Sequence, residues 1–318
     1  MMTIKELQLL AEQRRKRLVE VVYRANAGHI GGDLSCLNVL TALYFHVMRG
    51  LDPQHPKAPG RDRFVLSKGH CVEALYVTLE ARGFLSSDVL DTLGQFGSIL
   101  SGHPTIEVPG IEVNSGALGH GLSIGVGMAL AAKMNIGAFQ NSRTPTLLHS
   151  YTPTLLHSYT PELLHSYTPT LQNSYTTYVL MGDGEQGEGS IYEAAMAANR
   201  YHLDNLVAII DRNHLQISGN TEDVMPIDSI NDRWTAFGWD VTTMNGDSME
   251  DIVTTFEAID YHNGKPHLLI SNTTKGRGVS FMEGIAKWHH GVLNANQYQQ
   301  AIAEIDARIA ELSSSNSL

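Results

Sequence analysis

The stretch YVLMGDGEQGEG, residues 178–189, reads as a short apolar strand that delivers an aspartate between two glycines to the start of a helix. A second segment, IIDRNHLQISG (209–219), is another apolar strand, ending at Asn213, about thirty residues beyond Asp183. If the two strands are parallel neighbours, Asp183 and Asn213 stand together at their carboxyl ends, the edge where open α/β sheets bind ligands. A carboxylate, an amide oxygen and nearby backbone carbonyls form the oxygen-rich set that a hard cation such as Mg²⁺ prefers, with diphosphate oxygens and water completing its shell. The glycines let backbone approach a phosphate closely, and the helix N-terminus favours its charge. Alone, Gly-Asp-Gly is equally a strand-to-helix turn with aspartate as a cap. The asparagine at the next strand end is what argues for a metal site.

Working outward, apolar runs at Arg63–Leu66, Tyr178–Met181, Leu206–Asp211, Trp239–Met244 and His267–Asn272 alternate with helical patterns at Gly121–Lys133, Ser190–Arg200 and Met249–Tyr261. That alternation predicts an α/β fold, a three-layer, doubly wound, mostly parallel sheet covered on both faces. Apolar residues at Ile4, Leu7, Leu10, Ala11, Leu18, Val21 and Val22 predict a helix from Ile4 to about Ala25, closed by a glycine stop at Asn26-Ala27-Gly28. A last helix is expected from Gln297 to about Leu312, followed by a frayed Ser/Asn tail. We read residues 1–318 as a single domain with a sizeable core.

A hydrophobic fraction of 42% and a charged fraction of 17% describe an ordinary water-soluble chain. The net charge of −11 argues against a nucleic-acid partner, since phosphate backbones want a basic face. The one basic cluster, Arg14, Arg15, Lys16 and Arg17, falls in an amphipathic helical pattern and reads as a solvated face. No apolar run is long enough to span a bilayer and no signal-peptide core precedes the first helix, so a cytoplasmic protein without membrane contact is expected. Cys36 and Cys71 lie far apart in sequence and read as reduced, buried thiols.

Residues 144–175 break the alternation with four near-identical octapeptides, TPTLLHSY, TPTLLHSY, TPELLHSY and TPTLQNSY. A period of eight matches no standard solenoid, and the Thr-Pro opening each unit interrupts helix and ladder alike. His149, His157 and His165 invite a metal reading, but nothing else in the unit is a good ligand. We read 141–176 as a tandemly duplicated surface insertion entering at the N-terminal end of the following strand, far from the chemistry.

These segments, in order, resemble the transketolase family. Gly-Asp-Gly followed by Asn213 is similar to the cofactor motif of thiamine-diphosphate enzymes. ANAGHIGGDLS (25–35), DRFVLSKGH (62–70), SGHPTIEVPGIEVNSGALGHGLSIGVGMALAAK (101–133) and NTTKGRGVSFMEGIAKWHHG (272–291) resemble stretches of transketolases in particular. Outside the insertion the likeness runs from about residue 4 to 305. It implies thiamine diphosphate and Mg²⁺ as cofactors, with Ca²⁺ or Mn²⁺ able to substitute. Carried over position by position, Asp183, Asn213 and the backbone carbonyl of Leu215 hold the metal. Gly184, His70 and Lys275 contact the diphosphate, and Gly116 and Leu118 offer backbone groups to the aminopyrimidine ring. His29, His103 and His289 line the substrate channel, with His290 as the alternative to His289. Glu188 matches a carboxylate linking the two cofactor sites of a dimer. Histidines suit this role because imidazole both takes and gives a proton near neutrality. His46, His55, His202, His214 and His262 carry no motif and read as structural, and His120 replaces what is often glutamine.

A full transketolase continues into a pyrimidine-binding domain and a C-terminal domain, absent from these 318 residues. The resemblance therefore implies one half of a split enzyme, transferring a two-carbon ketol unit between sugars or sugar phosphates by a ping-pong route. Its partner is a C-terminal transketolase subunit, in a heterotetramer of two copies each. Two rivals remain open on the sequence: a 2-oxo acid dehydrogenase or deoxyxylulose-phosphate synthase-like subunit, and a degenerate, non-catalytic relative.

Overall fold

The computed structural model describes residues 2–134, 175–217 and 219–314. Five strands form one parallel sheet: β1 (Arg63–Leu66), β2 (Thr177–Gly182), β3 (Leu206–Arg212), β4 (Asp240–Asn245) and β5 (His267–Asn272), in the order β1-β2-β3-β5-β4. The β2–β3 register sets Gly182 against Asp211, so the residues that follow each strand, Asp183 and Arg212-Asn213, leave the sheet side by side. The neighbouring strand ends expected from the sequence are present.

Alternation along the buried strands builds three layers. Tyr178, Leu180, Val207, Ile209 and Leu269 face a core completed by α1 (Ile4–Ala25), α2 (Ile30–Ala42) and α3 (Val72–Arg82). Val179, Met181, Ala208, Ile210 and Leu268 face the other core. This second core is completed by the helix α5 (His120–Lys133), which follows the short α4 (Ser87–Leu90), and by α6 (Gly189–Arg200). After α6 come α7 (Thr221–Val224), α8 (Ile230–Ala236) and α9 (Met249–Glu257), then α10 (Ala295–Ser314), which packs on α1.

Several boundaries differ from expectation for local reasons. The α1 helix opens with a capping box, Thr3 with Glu6, and its left-handed stop is Asn26 (φ 52), not a glycine. The helix expected to reach Tyr261 ends at Glu257. Beyond it, Asp260 accepts the His262 N–H on its side chain (3.0 Å) and the Asn263 N–H on its carbonyl (3.3 Å), a turn that competes with helix. Trp239, expected to open β4, instead turns inward against Trp234, with ring centroids 4.6 Å apart.

The basic run on α1 is the clearest correction. Arg14 and Arg17 reach Glu80 of α3 at 3.0 and 2.9 Å, and Lys16 reaches Asp306 of α10 at 2.7 Å. Arg15 is buried and donates to the Arg277 carbonyl (3.0 Å) and Asn38 (2.9 Å). The run is an inter-helix clamp. Periodicity shows which way a helix turns its apolar stripe, not that neighbouring carboxylates will flank it.

The octapeptide expectation falls outside the described residues except at Tyr175, as does the tail after Ser314. Just before β2, the Tyr175 carbonyl accepts from Asn205 (3.3 Å) and the Thr176 N–H donates to Asp62 (2.8 Å). Asn205 and Asp62 immediately precede β3 and β1, so this end of β2 lies at the edge opposite the strand tips.

Packing around Gly121 gives a first prediction. An added Cβ there would stand 2.7 Å from Ser67 Cα, which cannot move without shifting β1. Gly121→Ala is expected to destabilise the fold by about 1–3 kcal/mol, as overpacking does, although alanine is the better helix former. A lowered urea midpoint would show this, and an unchanged one would contradict it.

Candidate active site

Four segments converge at the carboxyl ends of β2 and β3. Asp183 begins a 3₁₀ turn, Gly184–Gly187, and its carboxylate is almost fully enclosed by donors: the Gly184 N–H at 2.7 Å, the His214 N–H at 2.8 Å, Thr221 Oγ1 at 3.2 Å and Arg212 at 3.3 Å. Burial, with Asp211 nearby, pushes its acidity weaker than usual, while Arg212 and the two N–H groups pull the other way. Asn213 donates its amide to Asp211 (3.2 Å) and Ser35 (3.3 Å), so its oxygen is turned from the sheet and accepts the Leu215 N–H at 3.2 Å. The Leu215 carbonyl accepts from Lys275 Nζ at 3.2 Å.

Three residues beneath these were not legible in the sequence as part of the candidate site. Lys68 and Asp211, 2% and 1% exposed, form an ion pair, and Asp211 also accepts from Ser35, Thr273 and Asn213. Burial alone would weaken the hold of Lys68 on its proton, but the Asp211 carboxylate together with Cys71 and Cys36 raises the lysine well above its ordinary value. Glu185, also buried, accepts from Ser67, the Gly119 N–H (2.8 Å) and the Gly182 N–H (3.0 Å), joining the Gly-Asp-Gly turn to the loop before α5. The acidic stretch 183–188 and the run Asp211-Arg212-Asn213 were the available signals. Which carboxylate faces inward depends on the turn, which spacing does not give.

The histidines gather over this platform. His29 lies at ring-centroid distances of 5.2 Å from His70, 6.5 Å from His103, 5.7 Å from His289 and 4.9 Å from His290, and His70 lies 5.2 Å from His289. Both His289 and His290 therefore border His29, and only His289 also touches Lys275, whose ammonium donates to Nδ1 at 3.0 Å. An ammonium can only donate, so the neutral His289 ring carries its proton on Nε2. Burial, then the neighbouring His70, lowers His29 to about 4. Burial, then the Lys275 charge, lowers His289 to about 3. His103 and Lys275 are lowered too, chiefly by burial.

Gly116 lies against His103: a Cβ there would stand 2.6 Å from the ring, and its φ of 144° favours glycine. Leu118 follows two residues on, half-buried. At Gly184 a Cβ would meet the Gln216 side chain at 2.9 Å. Glu188 is exposed at the start of α6. Of the histidines read as structural, three lie elsewhere: His46 pairs with Glu257 (2.8 Å), His55 with Asp52 (2.8 Å), and His202 bonds the Gly264 carbonyl (3.2 Å), whereas His214 stands at the site through its backbone N–H on Asp183, with its side chain exposed. His120 is exposed and bonds Ala117.

Among the described residues no trio of His, Cys, Asp or Glu side chains forms a metal cage. Asp183, Asn213 and the Leu215 carbonyl instead offer a mixed oxygen set, and a cation, the Lys275 ammonium, already stands against one member. That donor chemistry fits Mg²⁺, and the glycine surfaces fit a closely approaching cofactor.

The family model described as "Transketolase, thiamine diphosphate binding domain" matches residues 7–157 and 165–306. The chain belongs to the transketolase family. It is 65% identical, over 99% of both chains, to a protein of Phocaeicola vulgatus that is named as one of the subunits of an apulose-4-phosphate transketolase. It is 37% identical to a 6-deoxy-6-sulfo-D-fructose transketolase subunit of Clostridium sp., covering 95% of this chain and 96% of that one. A transketolase structure from Leishmania mexicana superimposes with a TM-score of 0.77 at 26% identity, over 99% of this chain but only 46% of its own. The chain thus spans less than half of that transketolase, yet nearly all of relatives that are themselves named as subunits. It is a transketolase subunit of the N-terminal, cofactor-binding kind. No helix among the described residues is long and apolar enough to cross a membrane.

The lowered histidines make a transketolase-site prediction. Between about 6.5 and 4 the unfolded chain takes up protons that folded His29 and His289 refuse, so stability falls as pH drops through that window. The thermal midpoint should decline over this range, and more gently in His29→Gln or His289→Gln. Identical slopes in parent and variants would contradict the assignment.

Proposed function

We propose that this chain is the diphosphate-holding half of a cytoplasmic, two-chain transketolase that moves a two-carbon ketol unit from a ketose phosphate to an aldose phosphate with thiamine diphosphate and Mg²⁺. The observation that carries the reading is the convergence of His29, His70, His103, His289 and His290 beside the Asp183–Asn213 strand ends. Thiamine diphosphate supplies, when bound, the electron sink that carbon–carbon cleavage needs. Asp183, Asn213 and the Leu215 carbonyl would hold Mg²⁺, or Ca²⁺ or Mn²⁺ in its place. His70, Gly184 and Lys275 would hold the diphosphate, and Gly116 and Leu118 the aminopyrimidine ring.

The chain's own part in the chemistry is proton handling. With His29 and His289 lowered, both imidazoles are neutral at pH 7, and His29 is able to accept a proton from a sugar hydroxyl. Lys275 fixes the His289 tautomer, presenting Nε2–H as a donor to a substrate oxygen. His103, packed on Gly116, borders the same space and orients the donor sugar.

Exposed apolar residues near the site support a partner. Phe96, Ile99 and Ile106 lie on the loop carrying His103, and Ile217, Val224 and Met225 follow Asn213. We assign this surface to a chain bearing the pyrimidine-binding and C-terminal domains, in a heterotetramer, with Glu188 reaching toward the second cofactor site. The Phocaeicola relative's name supports a ketose phosphate such as apulose 4-phosphate as donor.

The test is ketol transfer from apulose 4-phosphate, with 6-deoxy-6-sulfofructose as the competing donor. The purified chain should be inactive alone and active with its partner, thiamine diphosphate and Mg²⁺. Turnover by the chain alone would refute the split site, and pyruvate decarboxylation without ketol transfer would refute the reaction.

A further inference from the structure

Beside the turn that carries His29, Asp33 of α2 faces Glu73 of α3. Both carboxyls are buried, 0% and 3% exposed, and within hydrogen-bonding reach of each other. Asp33 Oδ1 accepts the Ala74 N–H at 2.9 Å, while Asp33 Oδ2 and Glu73 Oε2 have no donor. The Glu73 carboxyl lies against the turn that carries His29, since a Cβ on Gly28 would stand 3.3 Å from its Oε1. Asp33 is thus tied to the helix that follows His70, and Glu73 to the turn that carries His29.

Two carboxyl oxygens that meet in a buried place with no donor between them are satisfied if one proton is shared. The titratable groups that face the pair do not supply a counter-charge. The Lys68 ammonium is held by Asp211 and the Gly32 carbonyl, and the Cys71 thiol packs on that of Cys36. The pair meets the turn that carries His29, and the His29 and His70 rings face each other in the cluster with centroids 5.2 Å apart. We propose that Asp33 and Glu73 form a carboxyl pair holding a single proton, and that this pair positions His29 against His70.

The pair consists of positioning residues. It touches neither strand tips nor substrate space, and acts by fixing the separation of two helix starts. Burial, which dominates, and then the partner carboxyl raise Asp33 well above the ordinary range, and burial raises Glu73 to about 8. The sign follows from linkage. A carboxyl whose folded value is raised keeps its proton where the unfolded chain has lost it, so its contribution weakens as pH rises from about 4.5 toward 8.

The positioning role rests on the transketolase reading, whereas the shared proton does not, and the experiment separates them. Thermal midpoints of the full chain are measured from pH 5.5 to 8.5 for the parent, Glu73→Gln and Asp33→Asn. An amide replaces the protonated member without a charge, so at least one variant should gain on the parent steadily as pH rises. A pH-independent difference in both would overturn the shared proton. In the partner complex with thiamine diphosphate and Mg²⁺, Glu73→Gln should keep kcat/KM at pH 7, while Glu73→Leu should lose on the order of tenfold or more through displacement of His29. Equal activity of Glu73→Leu and the parent would overturn the positioning role. An inactive parent complex would refute the transketolase reading and leave the midpoint result to decide the proton.

Discussion

Asp183→Ala is expected to abolish Mg²⁺-dependent binding of thiamine diphosphate while leaving the fold intact. The loss should exceed about 100-fold in affinity, because removing even an outer partner of a metal ligand costs 10- to 100-fold. The fold should survive because the groups that face Asp183 have other partners or their own backbone. Arg212 keeps Glu222 at 2.7 Å and Asp228 at 3.2 Å, and the His214 and Gly184 segments remain pinned by β3 and the 3₁₀ turn. Calorimetric titration of the partner complex, with and without Mg²⁺, reads the effect, and far-ultraviolet circular dichroism controls for folding. Affinity unchanged by the substitution would remove Asp183 from the metal site.

The second large effect is on stability. Lys68→Met leaves Asp211 charged and buried, with only the hydroxyls of Ser35 and Thr273 and the Asn213 amide as donors. Breaking one side of a buried ion pair typically costs about 3–5 kcal/mol, more than the pair itself contributes, because the orphaned charge is the larger penalty. Urea denaturation should show a loss of that order. The double variant Lys68→Met with Asp211→Leu should recover part of it, since removing both charges removes the orphan. Because Asp211 orients the Asn213 amide, the double variant should fold yet bind the metal poorly. A single variant as stable as the parent would mean that Asp211 is neutral or solvated in the folded state.

How far the sequence could be read depended on which physical signal each residue leaves. The strands were legible because burial on both faces forces short continuous apolar runs, and their order in the chain forces the parallel layers. Asp183 and the histidines could be picked out as candidates because close backbone approach demands glycines around them, and Asn213 because it ends an apolar strand. Lys68, Asp211 and Glu185 could not, because a charge gives no sign in sequence of whether its partner lies in water or across the sheet. The Arg14–Arg17 run shows the same blindness: an amphipathic helix with basic residues reads as solvated until α3 and α10 bring Glu80 and Asp306 alongside. Asp33 and Glu73 lie on different helices forty residues apart, and only the packing of α2 on α3 joins them.

One metal ion bridging the tips of β2 and β3 is the claim on which the proposed function depends. Anomalous diffraction from crystals of the partner complex grown with thiamine diphosphate and Mn²⁺ tests it most directly. The expected result is one strong peak bonded to the Asp183 carboxylate, the Asn213 amide oxygen and the Leu215 carbonyl, at roughly 2.0–2.2 Å, as hard octahedral cations bind. A peak bound elsewhere, with the Asp183 carboxylate still held by Arg212 and Thr221, would contradict it.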